Sequence, residues 1–403
     1  MNFISRAAFR SLRYDGPLTG ASRQASTALV PTARPTCGLG PLAMKTVAAT
    51  TLCSAIAFPA MAQSPSNVTL YGIVDAGIAI SDVGNGSETS VNSGIESGSR
   101  WGLRGSEDLG GGMAATFVLE SGFNVDDGVT QQGGRLFGRK ALIGLSGKYG
   151  LLEMGRNNSP TFYLVAPLDP FGVGAASALN FIATTPPGQQ SGRVDNSIIY
   201  TSPRMSGFEG KLHYGLGEQV TTATTAKNGN NSLGLSLTYS AGPILAGVAY
   251  SSRNSPADTD KDNTTTAGLS YDFKFIKPVL IVQSGKFEGS FTAATPASAA
   301  SPFSRSWFSA LLGATMPVGA TGKVMFSYKI YDDKTVSNFD ANQISVGYDH
   351  ALSKRTNLYA NYSTLTNKGN STYFNQDATT MYRTGMVPGY DPTLLTFGIR
   401  HTF

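Results

Sequence analysis

The sequence predicts an all-β fold, a 16-stranded antiparallel transmembrane β-barrel, and three observations carry that expectation. Hydrophobic residues recur at every second position almost throughout the chain after Gln63, the period of a strand with one apolar face. Short turn-forming connections alternate with long polar ones, the asymmetry of a barrel with turns at one rim and loops at the other. The composition also closes the other route across a bilayer. Only 14% of residues are charged and 47 are glycine, yet mean hydropathy is -0.08 and no run of 18 apolar residues follows the N-terminal region. A helical span is thereby excluded.

The elements justify themselves in order. "NVTLYGIVDAGIAI" opens the barrel, and "GGGMAATFVLESGF" sets Met113, Ala115, Phe117 and Leu119 against Ala114, Thr116, Val118 and Glu120. "GKVMFSYKIYDD", "NQISVGYDH" and "TNLYANYSTL" repeat the pattern with Val324, Phe326, Tyr328 and Ile330, then Ile344, Val346 and Tyr348, then Leu358, Ala360 and Tyr362. Seven short connections, "SEDLGGG", "SGKYG", "SPRMSG", "SAGP", "DFKFIK", "TMPVGATG" and "DHALSKRTN", join seven strand pairs, and a lone strand at each end makes sixteen. Long stretches at 81–99, 286–304 and 367–391 read as loops. A soluble sandwich would alternate too, but its strands are commonly about 5–6 residues and need no such asymmetry of connections. The closing "LLTFGIRHTF" is a well-patterned strand at a place where chains usually fray. An open sheet edge cannot face lipid, because each unpaired backbone group there costs several kcal/mol. The last strand is therefore expected to pair with the first.

Residues 44–62, "MKTVAATTLCSAIAFPAMA", read as a cleaved secretory signal, with Lys45 before an apolar core and Ala60-Met61-Ala62 as the cleavage site. Residues 1–43 read as a leader extension or a mis-set start with no structure expected, and residues 63–403 as the barrel. Arg6, Arg10, Arg13, Arg23, Arg34 and Lys45 stand against Asp15 alone in the first 62 residues, so the formal charge of +5 resides there and the remainder is neutral. Nothing in that balance suggests nucleic acid. Cys37 and Cys53 also fall in the part expected to be removed. No disulfide or metal is therefore expected, and "ATTLC" lacks the small residues a lipidated Cys53 would follow.

Candidate functional residues follow from strand parity. Trp101 and Leu103 suit lipid, which sends Arg100, Gly102 and Arg104 inward. Glu120 points inward by the same alternation. Arg193 in "GRVDNSIIY" and Arg139 in "GRKALIGL" stand at corresponding heights, although Lys140 competes with Arg139 for the inward position. An arginine at the lipid-facing midplane would cost about 2–4 kcal/mol, so the lumen is the expected place. The long connection at 157–192, "NNSPTFYLVAPLDPFGVGAASALNFIATTPPGQQSG", carries apolar residues that a solvated loop does not need, so it is expected to pack inside the barrel and narrow it. A basic wall facing Glu120 and Asp169 of that loop would set a transverse field across the water and sort ions without chemistry. His213, His350 and His401 stand in no nucleophile, metal or phosphate motif, so no enzyme and no cofactor is expected.

"SNVTLYGIVDAGI", "SRWGLRGSEDLGGGMAATFVLESGF", "LFGRKALIGLSGKYG", "VDNSIIYTSP" and "GIRHTF", in that order, resemble the general porins of Gram-negative outer membranes, especially the β-proteobacterial type. The resemblance covers essentially all of residues 63–403. It implies a homotrimer in outer-membrane lipid and lipopolysaccharide, whose third loop folds into each pore and passes small hydrophilic solutes and ions. It implies that Arg100, Arg139 and Arg193 form the basic side of the constriction, that Glu120 is its acidic strand residue, and that "LDPFGVG" places Asp169 opposite. It further implies that the terminal Phe403 is the address read by the barrel-insertion machinery. Few acids in the third loop lean the expectation toward weak anion preference. A dedicated uptake channel for one solute, and a plugged barrel acting as an adhesin or structural protein, are the alternatives.

Overall fold

The computed structural model describes residues 67–177, 192–217, 226–287, 305–335, 339–369, 371, 373–375 and 390–403. Residues 1–43, expected as a leader extension or a mis-set start, residues 44–62, expected as a signal, and both cysteines lie outside the described residues, as do 178–191 of the third loop and much of the stretches at 286–304 and 367–391.

Among the described residues, seventeen strand segments form one antiparallel sheet. They are β1 (Asn67–Asp82), β2 (Ser87–Ser93), β3 (Arg100–Gly110), β4 (Met113–Gly122), β5 (Lys140–Gly147), β6 (Gly150–Asn158), β7 (Arg193–Thr201), β8 (Phe208–Gly215) and β9 (Ser232–Ala241). The second half comprises β10 (Ile244–Asn254), β11 (Lys261–Tyr271), β12 (Lys277–Phe287), β13 (Arg305–Val318), β14 (Gly322–Asp333), β15 (Ala341–Ala351), β16 (Thr356–Asn367) and β17 (Thr393–Thr402). From β3 onward each strand pairs with its sequence neighbour, and β1 pairs with β17 from Ile73↔Thr402 to Asp82↔Thr393. Backbone bonds between Gly72 and Phe403 finish the seam, at 3.1 Å in each direction. The sheet closes on itself, as lipid requires.

Seventeen segments make a 16-stranded barrel because β2 and β3 share one position. β3 covers Asn67–Ile73 of β1, and β2 covers Ala76–Asp82. Between them the six residues at 94–99 leave the wall and turn inward, opposite only Val74 and Asp75. The stretch at 81–99, expected as one polar loop, thus becomes a hairpin, a strand and an inward excursion. Its Ser/Thr/Asn-rich sequence hides the strand because polar residues mask the period-two signal.

All seven short connections are as expected, at 111–112, 148–149, 202–207, 242–243, 272–276, 319–321 and 352–355. Outside, apolar side chains form the lipid-facing skin: Leu70, Ile143, Leu145, Leu237, Leu312, Val346 and Ile399 are all exposed. Aromatic rings gather near the short turns, with Tyr271, Phe273 and Phe275 in one file and Phe208 against Tyr239, the belt that amphipathic rings make at a membrane interface.

Inside, the third loop lies on the wall of β9–β15. Its helix, Pro160–Val165, starts with Ser159 capping the Phe162 N–H at 3.2 Å and with Pro at the first position. Leu164, Val165 and Leu168 join Ala249, Val279, Ile281, Leu311 and Trp307 in a buried apolar cluster. Inward glycines make the seat. A Cβ at Gly247 would come within 2.7 Å of Leu164, one at Gly313 within 2.7 Å of Pro170, and one at Gly347 within 2.8 Å of Phe171. Close approach of loop to wall demands residues without side chains at these positions.

Candidate functional site

The opposite wall, β3–β8, stays polar and basic. Arg100 opens β3 where the excursion rejoins the wall. Its Nε donates to the Gly98 carbonyl at 2.8 Å and its Nη2 to Ser97 Oγ at 2.6 Å. Glu120, on β4, accepts from Arg139 Nε at 2.8 Å and from the Tyr71 hydroxyl at 2.9 Å. Arg139 and Glu120 are both buried, and a buried pair of this kind costs about 3–5 kcal/mol to break by removing one partner. The competition between Arg139 and Lys140 resolves in favour of both. Lys140 takes the inward strand position paired with Glu120, and Arg139, one residue before β5, bonds the Glu120 carbonyl through its own N–H at 3.1 Å.

Arg104 lies nearer the short turns, exposed, with its guanidinium 5.2 Å from the Tyr71 ring centre. Arg193, the first residue of β7, stands within electrostatic reach of Arg100, Arg139 and Arg156 and of the carboxylate of Glu120. Its Nε has no hydrogen-bond partner. Among the described residues neither Arg100 nor Arg193 makes an ion pair. The wall of β3–β8 thus carries Arg100, Glu120, Arg139 and Arg193 near one another, with Arg104 further toward the short turns.

Asp169 is placed differently from the expectation. It is 6% exposed, and its oxygens accept from the N–H groups of Phe171 (3.1 Å) and Val173 (2.9 Å) and from Ser177 Oγ of its own loop. Burial pushes its carboxyl above the ordinary range, opposed by those hydrogen bonds and by the charge of Lys329 on β14. The "LDPFGVG" turn needs an acceptor to tie up its own backbone, and Asp169 serves that turn rather than facing the arginines. Asp169 therefore does not supply the acidic half of the expected transverse field.

Sequence reasoning did not name Arg135, Arg156, Asp195 or Lys211. Arg135 and Arg156 both clasp Asp195. Arg156 stands at a bulge between Gly155 and Asn157 that breaks the alternation, so parity could not find it. Lys140 and Lys211 set their ammonium groups 5.5 and 5.1 Å from the Tyr163 ring centre and so meet the loop helix from the wall. Parity alone could have placed Lys211 in the lumen. A cavity of about 270 Å³ beside Arg193 is lined by Asp195, His213, Ser232, Ser251 and Arg253. His213 is 1% exposed, at the foot of the loop helix, and its Nε2 has no hydrogen-bond partner. His350 and His401 sit near the short turns, bonded to the Tyr348 and Thr356 hydroxyls at 3.2 and 2.8 Å. Among the described residues no group of three or more His, Cys, Asp or Glu is arranged to hold a metal.

A closed cylinder with an apolar skin, a charged inner wall and a loop seated inside it defines a membrane diffusion channel. The pattern of the Gram-negative porin family matches residues 48–370, and this chain belongs to that family. Outer membrane porin protein 32 of Delftia acidovorans is 35% identical over 353 residues, covering 85% of this chain and 95% of that protein. The solved anion-selective porin from Comamonas acidovorans superposes with a TM-score of 0.72 at 32% identity, over 84% of this chain and all of that one. The trimer form of OmpT from Vibrio cholerae shares the fold, with a TM-score of 0.58 at 12% identity over 84% of this chain and 99% of that one. The protein is an outer-membrane porin of β-proteobacterial type, a water-filled channel for passive diffusion of small hydrophilic solutes and ions.

Proposed function

We propose that this porin favours anions, that its constriction lies between the basic wall of β3–β8 and the third loop, and that it works as a homotrimer. One observation carries the selectivity. Arg100, Arg139, Arg156 and Arg193 share a patch of wall in which Glu120 is held by Arg139 and Asp195 by Arg135 and Arg156, while Asp169 of the third loop accepts from its own turn. Uncompensated guanidinium charge on a water-filled lumen raises the local concentration of anions. The Comamonas acidovorans porin is itself anion-selective, which supports the same reading. The trimer draws support from the OmpT trimer form. Phe403, 43% exposed with its ring over Gly72 at the seam, is proposed as the address for the insertion machinery, with lipid and lipopolysaccharide around the barrel. This reading assigns no catalytic role to His213, which is buried and lines the cavity beside Arg193. Liposomes carrying the purified protein should swell in small sugars. Liposomes that stay tight around properly inserted protein would instead mark a plugged barrel.

A second reading, uptake of one anionic solute, is favoured by the cavity between Arg193 and Arg253. Saturable conductance with that solute would mark it.

A further inference from the structure

We propose that Asp75 is the positioning residue of the constriction, holding the inward excursion at 94–99 as a bracket that fixes Arg100 on one side and the tip of the third loop on the other. This rests on the constriction proposed above.

Asp75 lies on β1 opposite the point where β2 breaks from β3, and it is 0% exposed. Most of its polar contacts serve the excursion. Its Oδ2 accepts from the backbone N–H of Glu96 at 3.0 Å and of Ser97 at 2.6 Å. Its carbonyl accepts from the Gly94 N–H at 2.8 Å and from Ser99 Oγ at 3.0 Å, and its own N–H donates to Ser99 Oγ at 3.0 Å. Its Oδ1 accepts from the Tyr359 hydroxyl of β16 at 2.6 Å, which anchors the carboxylate to the wall. Six residues cannot leave a barrel wall without replacing the ladder bonds they forgo. One carboxylate with two backbone donors supplies that replacement through charge-assisted bonds, roughly twice as strong as neutral ones.

The bracket has two working ends. Ser97 and Gly98 are the residues that hold the Arg100 guanidinium. Ile95 and Glu96 receive the loop tip. The Ala175 N–H donates to the Ile95 carbonyl at 2.6 Å, and Gly174 approaches so closely that a Cβ there would lie 2.6 Å from the Glu96 carbonyl oxygen. The Ile95 side chain is fully buried with Ala79, Ala175, Tyr359 and Leu394. Asp75 bonds neither the arginine nor the loop, yet both depend on the segment it holds.

Replacing Asp75 also removes a negative charge beside its cross-strand neighbour Arg400, so the test compares two variants of equal charge in planar bilayers. In D75N the amide oxygen can still face the two N–H groups while its NH2 donates to Tyr359. A steady open level and at least wild-type anion preference are expected. D75A loses every side-chain acceptor. Its open current should fluctuate among levels and its anion preference should fall below that of D75N, while the folded barrel still shows the usual heat-dependent shift on gels. An inserted D75A channel indistinguishable from D75N would overturn the proposal. Should D75A not insert, G174A and S97A leave Asp75 and every strand unaltered and test the two ends separately. Unstable current in the first and weaker anion preference in the second are expected; wild-type behaviour of both would overturn it. R100S separates the two readings. No change in its reversal potential sinks the selectivity assignment itself, whereas a change in R100S with D75A equal to D75N sinks only the role of Asp75.

Discussion

At the scale of the residue, the proposed anion preference rests on which guanidinium groups are left without an ion pair. Arg139 shares its charge with Glu120 and Arg156 with Asp195, whereas Arg100 and Arg193 make no ion pair among the described residues, and the proposed field is assigned to those two. Replacing both with neutral residues should move the reversal potential toward cations, and an unchanged potential in the double variant would contradict the field argument. Parity revealed the inward direction of Arg100, Arg104 and Glu120 because regular strands alternate. It could not place Arg156, which stands at a bulge, nor choose between Arg139 and Lys140, because Arg139 precedes its strand and escapes alternation altogether. Asp169 shows the limit of reading a loop. Its acidity was visible in sequence, but its direction depends on backbone turns that no periodicity encodes.

At the scale of the element, the third loop is held by fit more than by charge. Its apolar residues were legible as a sign that it packs inside. The seat was not, because glycine in a strand also marks bulges and bends. Gly313→Val would drive a side chain into Pro170 and push the loop toward the lumen axis. Single-channel conductance should fall while insertion persists, since the outer face of β13 is unaltered. Overpacking of this kind typically costs about 1–3 kcal/mol, within what a barrel tolerates. A G313V channel with wild-type conductance would show that the seat does not set the bore. The excursion at 94–99 was equally hidden: its polar composition reads as loop, and only the register of β1 against β2 and β3 exposes it.

At the scale of the whole molecule, closure dictates the rest. The cylinder, its strand number and its two kinds of rim were readable because lipid permits so few solutions. The seam places Phe403 against Gly72, exposed at the short-turn end. Deleting Phe403 removes two backbone bonds from a long ladder, so folded stability should change little while outer-membrane levels drop. Normal levels of the truncated chain would contradict the assignment of Phe403 as an insertion address.

The most direct measurement is the reversal potential of the purified wild-type protein in a planar bilayer under a tenfold KCl gradient. Large open steps with an anion-favouring potential are expected from the uncompensated arginines of the inner wall. Open steps that favour cations would contradict that central claim and shift the controlling field to the acids of the loops.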